Sequence, residues 1–203
     1  MMIYKKIIII LTLIIVLMTG SACNNTDIKE EDYAKTVVLT VDDSTVYLNE
    51  LMYHVKLAEL QGELYASFLK TSDFWNKEYS EGVTMGDVMK QEAMDNAIKY
   101  ELLNHMALDE GYCLTDEELS DCNSKVDSIL KSLLKDDIKT MELTEENLLE
   151  IQKKITLSTR YYTKHYINNN IDDETAYKEM KDGHKIEINN KVWKLIKLGE
   201  IKK

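Results

Sequence analysis

The feature that most constrains the fold of this chain is the absence of proline from its 203 residues, together with only seven glycines. Antiparallel sandwiches depend on frequent turns, which proline and glycine form most readily. Lys, Glu, Leu and Met, which are abundant in the chain, favour helices. We therefore expect a mainly α-helical fold, and we exclude both an all-β sandwich and a long Pro- or Gly-rich linker.

The first 22 residues have the pattern of an export signal. Lys5 and Lys6 form a basic end, residues 7–18 are apolar apart from Thr12, and small residues at 20–22 precede Cys23. The apolar run is shorter than the ~20 residues that a helix needs to cross a bilayer. We therefore predict that residues 1–22 are a signal peptide.

The segment Gly20-Ser21-Ala22-Cys23 resembles the lipobox of bacterial lipoproteins, with glycine where leucine is usual. The resemblance implies that the Cys23 thiol carries a diacylglycerol and that the signal is cut before it. The protein would then be anchored to the cell membrane by lipid, on its extracytoplasmic face. An ordinary secretory signal and an uncleaved anchor are the alternatives, and all three place the folded part outside the cytoplasm.

The charge of the chain restricts its partners. The full sequence has 25 basic and 36 acidic residues, a net charge of −11. Residues 1–22 contain two of the basic residues, Lys5 and Lys6, and no acidic one, so the remainder has 23 against 36, or −13. Such a surface repels nucleic acid and anionic headgroups. We expect no nucleic-acid partner, and contact with the membrane only through the lipid on Cys23.

After the signal, residues 23–35 are predicted to be a flexible tether, because they are polar and lack an apolar period. Residues 36–203 are predicted to be a single domain. It begins with a β-hairpin formed by residues 36–41 and 45–47, with its tip at residues 42–44. Residues 185–189 alternate like a strand, and we predict that this strand joins the hairpin, which is too small to be stable alone.

Apolar residues at helical spacing predict four or five helices between the hairpin and the closing strand. Asn49 is the expected cap of the first helix, and Thr84 with Asp87 and Thr115 with Glu118 form capping boxes at the next two. Residues 76–82 and 136–142 are expected to be loops. The predicted helices cover residues 49–70, 84–110, 115–133, 144–167 and 172–182.

Cys113 and Cys122 remain once Cys23 is assigned to lipid. A disulfide between them would need residues two helical turns apart, ~11 Å along the axis, to meet. The alternative is that both are small apolar side chains with free thiols.

The order of these elements resembles the extracytoplasmic peptidyl-prolyl isomerases and chaperones of the PrsA/SurA class. The resemblance rests on Asp73-Phe74-Trp75, on EGYCLTDEEL at residues 110–119 and on YKEMKDGHKIEINNKVWKLI at residues 177–196. It implies a helical N-terminal chaperone module. Active isomerases of this class carry an inserted parvulin domain of roughly 90 residues, the size of a small domain, and the few residues between Tyr166 and Tyr177 leave no room for it.

No motif in the sequence indicates catalysis. The chain lacks a Gly-rich phosphate loop, His-Glu-x-x-His, Cys-x-x-Cys and Gly-x-Ser-x-Gly. Its four histidines, His54, His105, His165 and His184, lie in different predicted elements. We expect neither an enzyme nor a bound metal or cofactor.

Methionine and aromatic residues around the first two helices are candidates for binding. An apolar concavity there would suit unfolded polypeptides, and its candidate client-binding residues are Tyr53, Tyr65, Phe68, Met85 and Met89. Acidic residues at its rim, Glu59, Glu63 and Asp87, would favour basic clients. The alternative is that these apolar residues simply form the core.

Two functions fit these observations. The first is a membrane-anchored holdase-type chaperone for exported polypeptides, without isomerase activity. The second is a non-catalytic accessory lipoprotein that docks one specific protein partner through a helical groove. Long helices that exchange between protomers would also allow a homodimer.

Overall fold

A computed structural model describes residues 32–199. The predicted signal peptide, Cys23 and most of the predicted tether lie outside the described residues. The described part is mainly helical with a small antiparallel sheet, which confirms the predicted fold class. In chain order the elements are β1 (Val37–Val41), β2 (Ser44–Tyr47), α1 (Leu48–Leu69), β3 (Glu78–Ser80), β4 (Val83–Thr84), α2 (Met85–Asp109), α3 (Asp116–Ser132), α4 (Lys135–Thr140), α5 (Glu145–His165), a 3₁₀ turn (Ile167–Asn169), α6 (Asp173–Lys181), β5 (Ile186–Ile188) and α7 (Asn190–Trp193).

The first sheet joins the two ends of the described chain. Its strand order is β2-β1-β5, with Thr40 opposite Thr45 on one side and Leu39 opposite Ile188 on the other. Val38, Leu39 and Val41 of β1 are buried, so the central strand is held by the core as well as by both neighbours. The prediction that the closing strand pairs with the hairpin is confirmed.

Local capping explains where the long helices begin. Thr84 Oγ1 accepts a hydrogen bond from the Asp87 amide at 3.1 Å, and Thr115 Oγ1 accepts one from the Glu118 amide at 3.2 Å. In both cases the acidic side chain accepts from the amide of the cap, which completes a capping box. Both predicted boxes are therefore confirmed.

The predicted start of the first helix and end of the tether were wrong. The side chain of Tyr33 is buried, and its carbonyl accepts a hydrogen bond from the Asn49 amide at 2.9 Å. The residues from Asp32 to Lys35 therefore belong to the folded domain rather than to the tether. Helix α1 starts at Leu48 directly from β2, so Asn49 lies inside it and does not cap it.

Two predicted loops contain regular structure. Strands β3 and β4 form a hairpin that overlaps residues 76–82, and Gly82 provides its turn with a φ of 72°. Helix α4 occupies residues 135–140, and the adjoining Met141 and Leu143 are buried. Both elements are too short for periodicity to reveal them, and each depends on packing against longer elements.

The core is built around α2, which packs against both α1 and α5. Leu51 from α1, Met94, Leu102 and Leu103 from α2 and Leu148 from α5 are fully buried. Cys122 is also buried, 3.4 Å from the Thr156 hydroxyl, whereas Cys113 is exposed, and both are free thiols. The structure thus agrees with the free-thiol interpretation of these two residues.

The segment before β3 is fixed by the close packing of Trp75 on glycine. The Trp75 indole lies against Gly62 of α1, where a Cβ atom would come within 2.2 Å of its Cη2. Real Cβ atoms do not approach an aromatic ring this closely, so a larger residue at 62 must displace the indole. Gly62 therefore determines how the chain after α1 folds back on the helix.

We predict that Gly62→Ala lowers the free energy of unfolding by about 1–3 kcal/mol, the usual cost of overpacking. This is opposite in sign to the ~1 kcal/mol by which alanine stabilises an unconstrained helix interior relative to glycine. Urea unfolding followed by tryptophan fluorescence measures the change. Ser67→Ala, at an exposed position of the same helix, is the control. A more stable Gly62→Ala variant would contradict the packing described.

Candidate functional site

The second half of α1 presents a row of apolar side chains to solvent, which we call the α1 stripe: Leu57, Leu60, Leu64 and Phe68. Spacings of three and four residues put them on one face of the helix, over about 16 Å of its length. Leu64 is 68% exposed and Phe68 is 81% exposed. Single exposed apolar residues are ordinary, but a contiguous row of four is a candidate surface for an apolar partner.

Aromatic residues flank the stripe. Tyr65 is exposed, its hydroxyl accepts a hydrogen bond from Gln61 at 2.9 Å, and its ring centroid lies 6.3 Å from that of the buried Phe74. Leu69, one residue beyond the stripe, is also exposed. The apolar surface of this end of α1 is therefore wider than the stripe alone.

A cleft of about 270 Å³ lies between α1, α2 and α5. Leu57 belongs both to the stripe and to the cleft, so the two are continuous. Aromatic rings, amides and one carboxylate line the cleft, with the chief contributions from Tyr53, His54, Gln61, Glu92, Asn96 and Tyr100. The cleft therefore offers polar recognition next to an apolar surface.

His54 is the most unusual residue of the cleft. Its side chain is 4% exposed, and its ring stacks on Tyr100 with centroids 5.6 Å apart. Its Nε2 has no hydrogen-bond partner among residues 32–199. Burial, assisted by the positive charge of Lys154, lowers the pKa of His54 to about 3, so the imidazole is neutral at neutral pH.

A buried charge cluster lies close to His54. Lys154 Nζ is 2.6 Å from Glu50 Oε1 and 2.5 Å from Glu101 Oε2, which joins α5 to α1 and α2. The cluster has two carboxylates and one ammonium group, a formal charge of −1. Burial raises the pKa of Glu50 above its ordinary value, although Lys154 opposes that shift. The cluster ties together the three helices that form the cleft.

The structure divides the five predicted client-binding residues between surface and core. Tyr65 and Phe68 are exposed, and Met85 is partly exposed at the start of α2. Met89 is buried, so its predicted place on a binding surface is wrong. Tyr53 is buried as well: it forms a wall of the cleft, with its hydroxyl accepting a hydrogen bond from Gln152 at 3.0 Å.

Two of the three predicted rim carboxylates already have partners. Asp87 belongs to the capping box of α2, and Glu59 pairs with Lys56 at 3.6 Å, whereas Glu63 is exposed. The three leucines of the stripe were not among the predicted client-binding residues. Their spacing of three and four residues was visible, but only packing shows that this part of the face is left uncovered.

Two structural properties bear on other kinds of site. Within residues 32–199, no group of three or more His, Cys, Asp or Glu side chains is arranged to hold a metal ion. The helices in that range also include none with the length and apolar character needed to cross a membrane.

Comparison with known proteins adds no further assignment. Neither a scan of protein-family models nor searches of the curated proteins and of the solved structures found a match to this chain.

Proposed function

We propose that this protein is a lipoprotein, anchored through Cys23 on the extracytoplasmic face of the cell membrane, that holds exported polypeptides before they fold. The observation that carries the proposal is the α1 stripe, a contiguous apolar surface in a chain that is otherwise strongly acidic. The export signal and the resemblance to the PrsA/SurA class support it. The same resemblance, with no parvulin segment in the sequence, supports a holdase without isomerase activity.

The stripe would bind a client by burying apolar side chains. Each side chain that is covered contributes roughly 1–2 kcal/mol, and this gain is offset by the entropy lost on association. Four such positions give weak and reversible binding, which suits a protein that must release its client. The net charge of the chain keeps a loaded complex soluble and attracts basic clients.

An accessory subunit that docks one specific partner is the second candidate. The cleft beside the stripe favours it, because a shaped polar pocket discriminates between ligands better than an apolar row does. Pull-down from intact cells followed by mass spectrometry separates the two functions. A holdase should recover many clients in small amounts, whereas a docking subunit should recover one partner at equal stoichiometry.

A second copy of this chain is a further occupant to test, since a homodimer could cover the stripe. Light scattering of the chain beginning at Asn24, measured over a range of concentrations, tests this alternative. A monomer at all concentrations leaves the stripe free for clients. A stable dimer that Phe68→Ser dissociates would assign the stripe to self-association instead.

We predict that the chain beginning at Asn24 slows the aggregation of a denatured model protein and that Leu64→Ser with Phe68→Ser abolishes this effect. Losing two apolar contacts should raise the concentration needed for protection by at least about tenfold. Turbidity measured against time gives the result. Leu134→Ser is the matched control, since Leu134 is 68% exposed, as Leu64 is, but lies at the start of α4.

Full protection by the double variant would show that the stripe is not the binding surface. If the parent protein itself never slows aggregation, the holdase function is wrong and the docking subunit becomes the better candidate.

A further inference from the structure

The cleft beside the stripe contains groups that no part of the fold uses. The Glu92 carboxylate is exposed and has no ion-pair or hydrogen-bond partner within residues 32–199. The Nε2 atom of the buried His54 also lacks a hydrogen-bond partner. A buried nitrogen without a partner costs free energy, so a ligand that donates a hydrogen bond to it would be stabilised.

The charge around the cleft selects a cation. Glu92 is the only charged residue that lines the cleft, and its carboxylate has no partner within residues 32–199. The residues that line the cleft include no lysine or arginine. A positively charged ligand is therefore favoured over a neutral or anionic one.

We propose that the cleft binds one arginine side chain of the client polypeptide, whose neighbouring residues lie on the α1 stripe. The proposal rests on the proposed holdase function and specifies the kind of segment it would hold. With the imidazole proton on Nδ1, His54 Nε2 accepts a hydrogen bond from the guanidinium, Glu92 supplies the opposite charge, and the Tyr100 ring provides an aromatic surface on which the planar group packs.

Arginine fits these groups better than lysine does. Its guanidinium has five N–H donors in a planar fork, so it can reach two acceptors at once and stack on a ring. An ammonium group is more strongly hydrated and has no plane to stack. A cleft of about 270 Å³ is at the lower limit of ligand pockets, which suits a single side chain rather than a whole small molecule.

The first test uses a probe that does not depend on holdase activity. Nα-acetylarginine amide is titrated into the full-length protein in nonionic detergent, and the ring ¹⁵N signals of His54 are followed by NMR. Nα-acetylcitrulline amide, which keeps the shape but not the charge, is the comparison. We expect the arginine probe to shift the His54 signal and to bind about tenfold more tightly, as is typical of a charge-assisted hydrogen bond.

The matched variants are Glu92→Gln and Glu63→Gln, each of which removes one exposed carboxylate. Glu92→Gln should bring the two probes to equal affinity, whereas Glu63→Gln, outside the cleft, should leave the preference unchanged. An unshifted His54 signal, or equal binding of both probes by the parent, would overturn the proposal. So would a preference that survives Glu92→Gln.

Peptides separate the failure of this inference from the failure of the holdase function. An unfolded apolar peptide is compared with versions that contain one arginine or one citrulline. If the apolar peptide binds and arginine adds nothing, the cleft assignment is wrong and the holdase function stands. If the arginine probe binds the cleft but no apolar peptide binds and no client is protected, the holdase function is wrong and the cation site stands.

Discussion

Replacing Lys154 with methionine should lower the free energy of unfolding by about 3–5 kcal/mol, the usual cost of leaving a buried charge without its partner. Lys154 is the only ion-pair partner of Glu50 and Glu101 within residues 32–199. The side chain of Glu101 is 6% exposed, so water cannot take the place of the lysine. Since domains are typically stable by 5–15 kcal/mol, this loss would be a large part of the total.

Thermal and urea unfolding measure this effect, with Lys153→Met as the control. Lys153 pairs with the exposed Glu150 on the solvent side of the same helix, so its loss should change stability by less than about 1 kcal/mol. Adding Glu101→Gln to Lys154→Met should restore part of the stability, because it removes one of the two unpaired charges. A Lys154→Met variant as stable as the Lys153→Met control would contradict the account of this cluster.

The stability of the Lys154→Met variant should also rise as the pH falls. Burial already raises the pKa of Glu50 above its ordinary value, and removing Lys154 removes the charge that opposes this shift. A carboxyl whose pKa is raised by folding binds more protons in the native state than in the unfolded one. The free energy of unfolding is then greatest below the pKa that Glu50 has in the unfolded chain. It falls as the pH rises through the higher pKa that Glu50 has in the folded protein.

The second large effect concerns the anchor. Cys23→Ser should abolish lipid labelling and move the protein out of the membrane fraction, because a diacylglycerol supplies the two chains that stable anchoring needs. Cys23 lies outside the compact unit that begins at Asp32, so we expect the variant to unfold at the same temperature as the parent. Cys113→Ser, which changes an exposed free thiol, is the control. Unchanged labelling and membrane fractionation of Cys23→Ser would contradict the lipoprotein assignment.

The starts of α2 and α3 were predictable because their signals are local. Thr84 and Thr115 each form a cap with a residue three positions later, and no distant contact is needed to define it. The pairing of β5 with β1 was predictable for a different reason, since an isolated hairpin requires a further strand. The hairpin β3–β4 and helix α4 left too short a pattern to be recognised.

The candidate binding surface was only partly predictable because the apolar spacing of α1 continues from its buried first half into its exposed end. Tyr53 and Phe68 lie on the same helix, and the sequence predicts the same binding surface for both. Tyr53 is nevertheless 4% exposed, whereas Phe68 is 81% exposed. The difference depends on α2 and α5, which cover the first half of the helix and not its end. The cleft was not predictable at all, since His54, Glu92 and Tyr100 come together only through tertiary packing.

The central claim is that unfolded polypeptides bind at the α1 stripe, and site-specific photo-crosslinking tests it most directly. A benzophenone side chain is placed at position 64 or at position 134, both of which are 68% exposed in the parent protein. Each protein is irradiated with a denatured client and with the same client in its folded state. We predict a crosslink from position 64 to the denatured client only, and none from position 134. Equal crosslinking from the two positions, or none from position 64, would contradict the account.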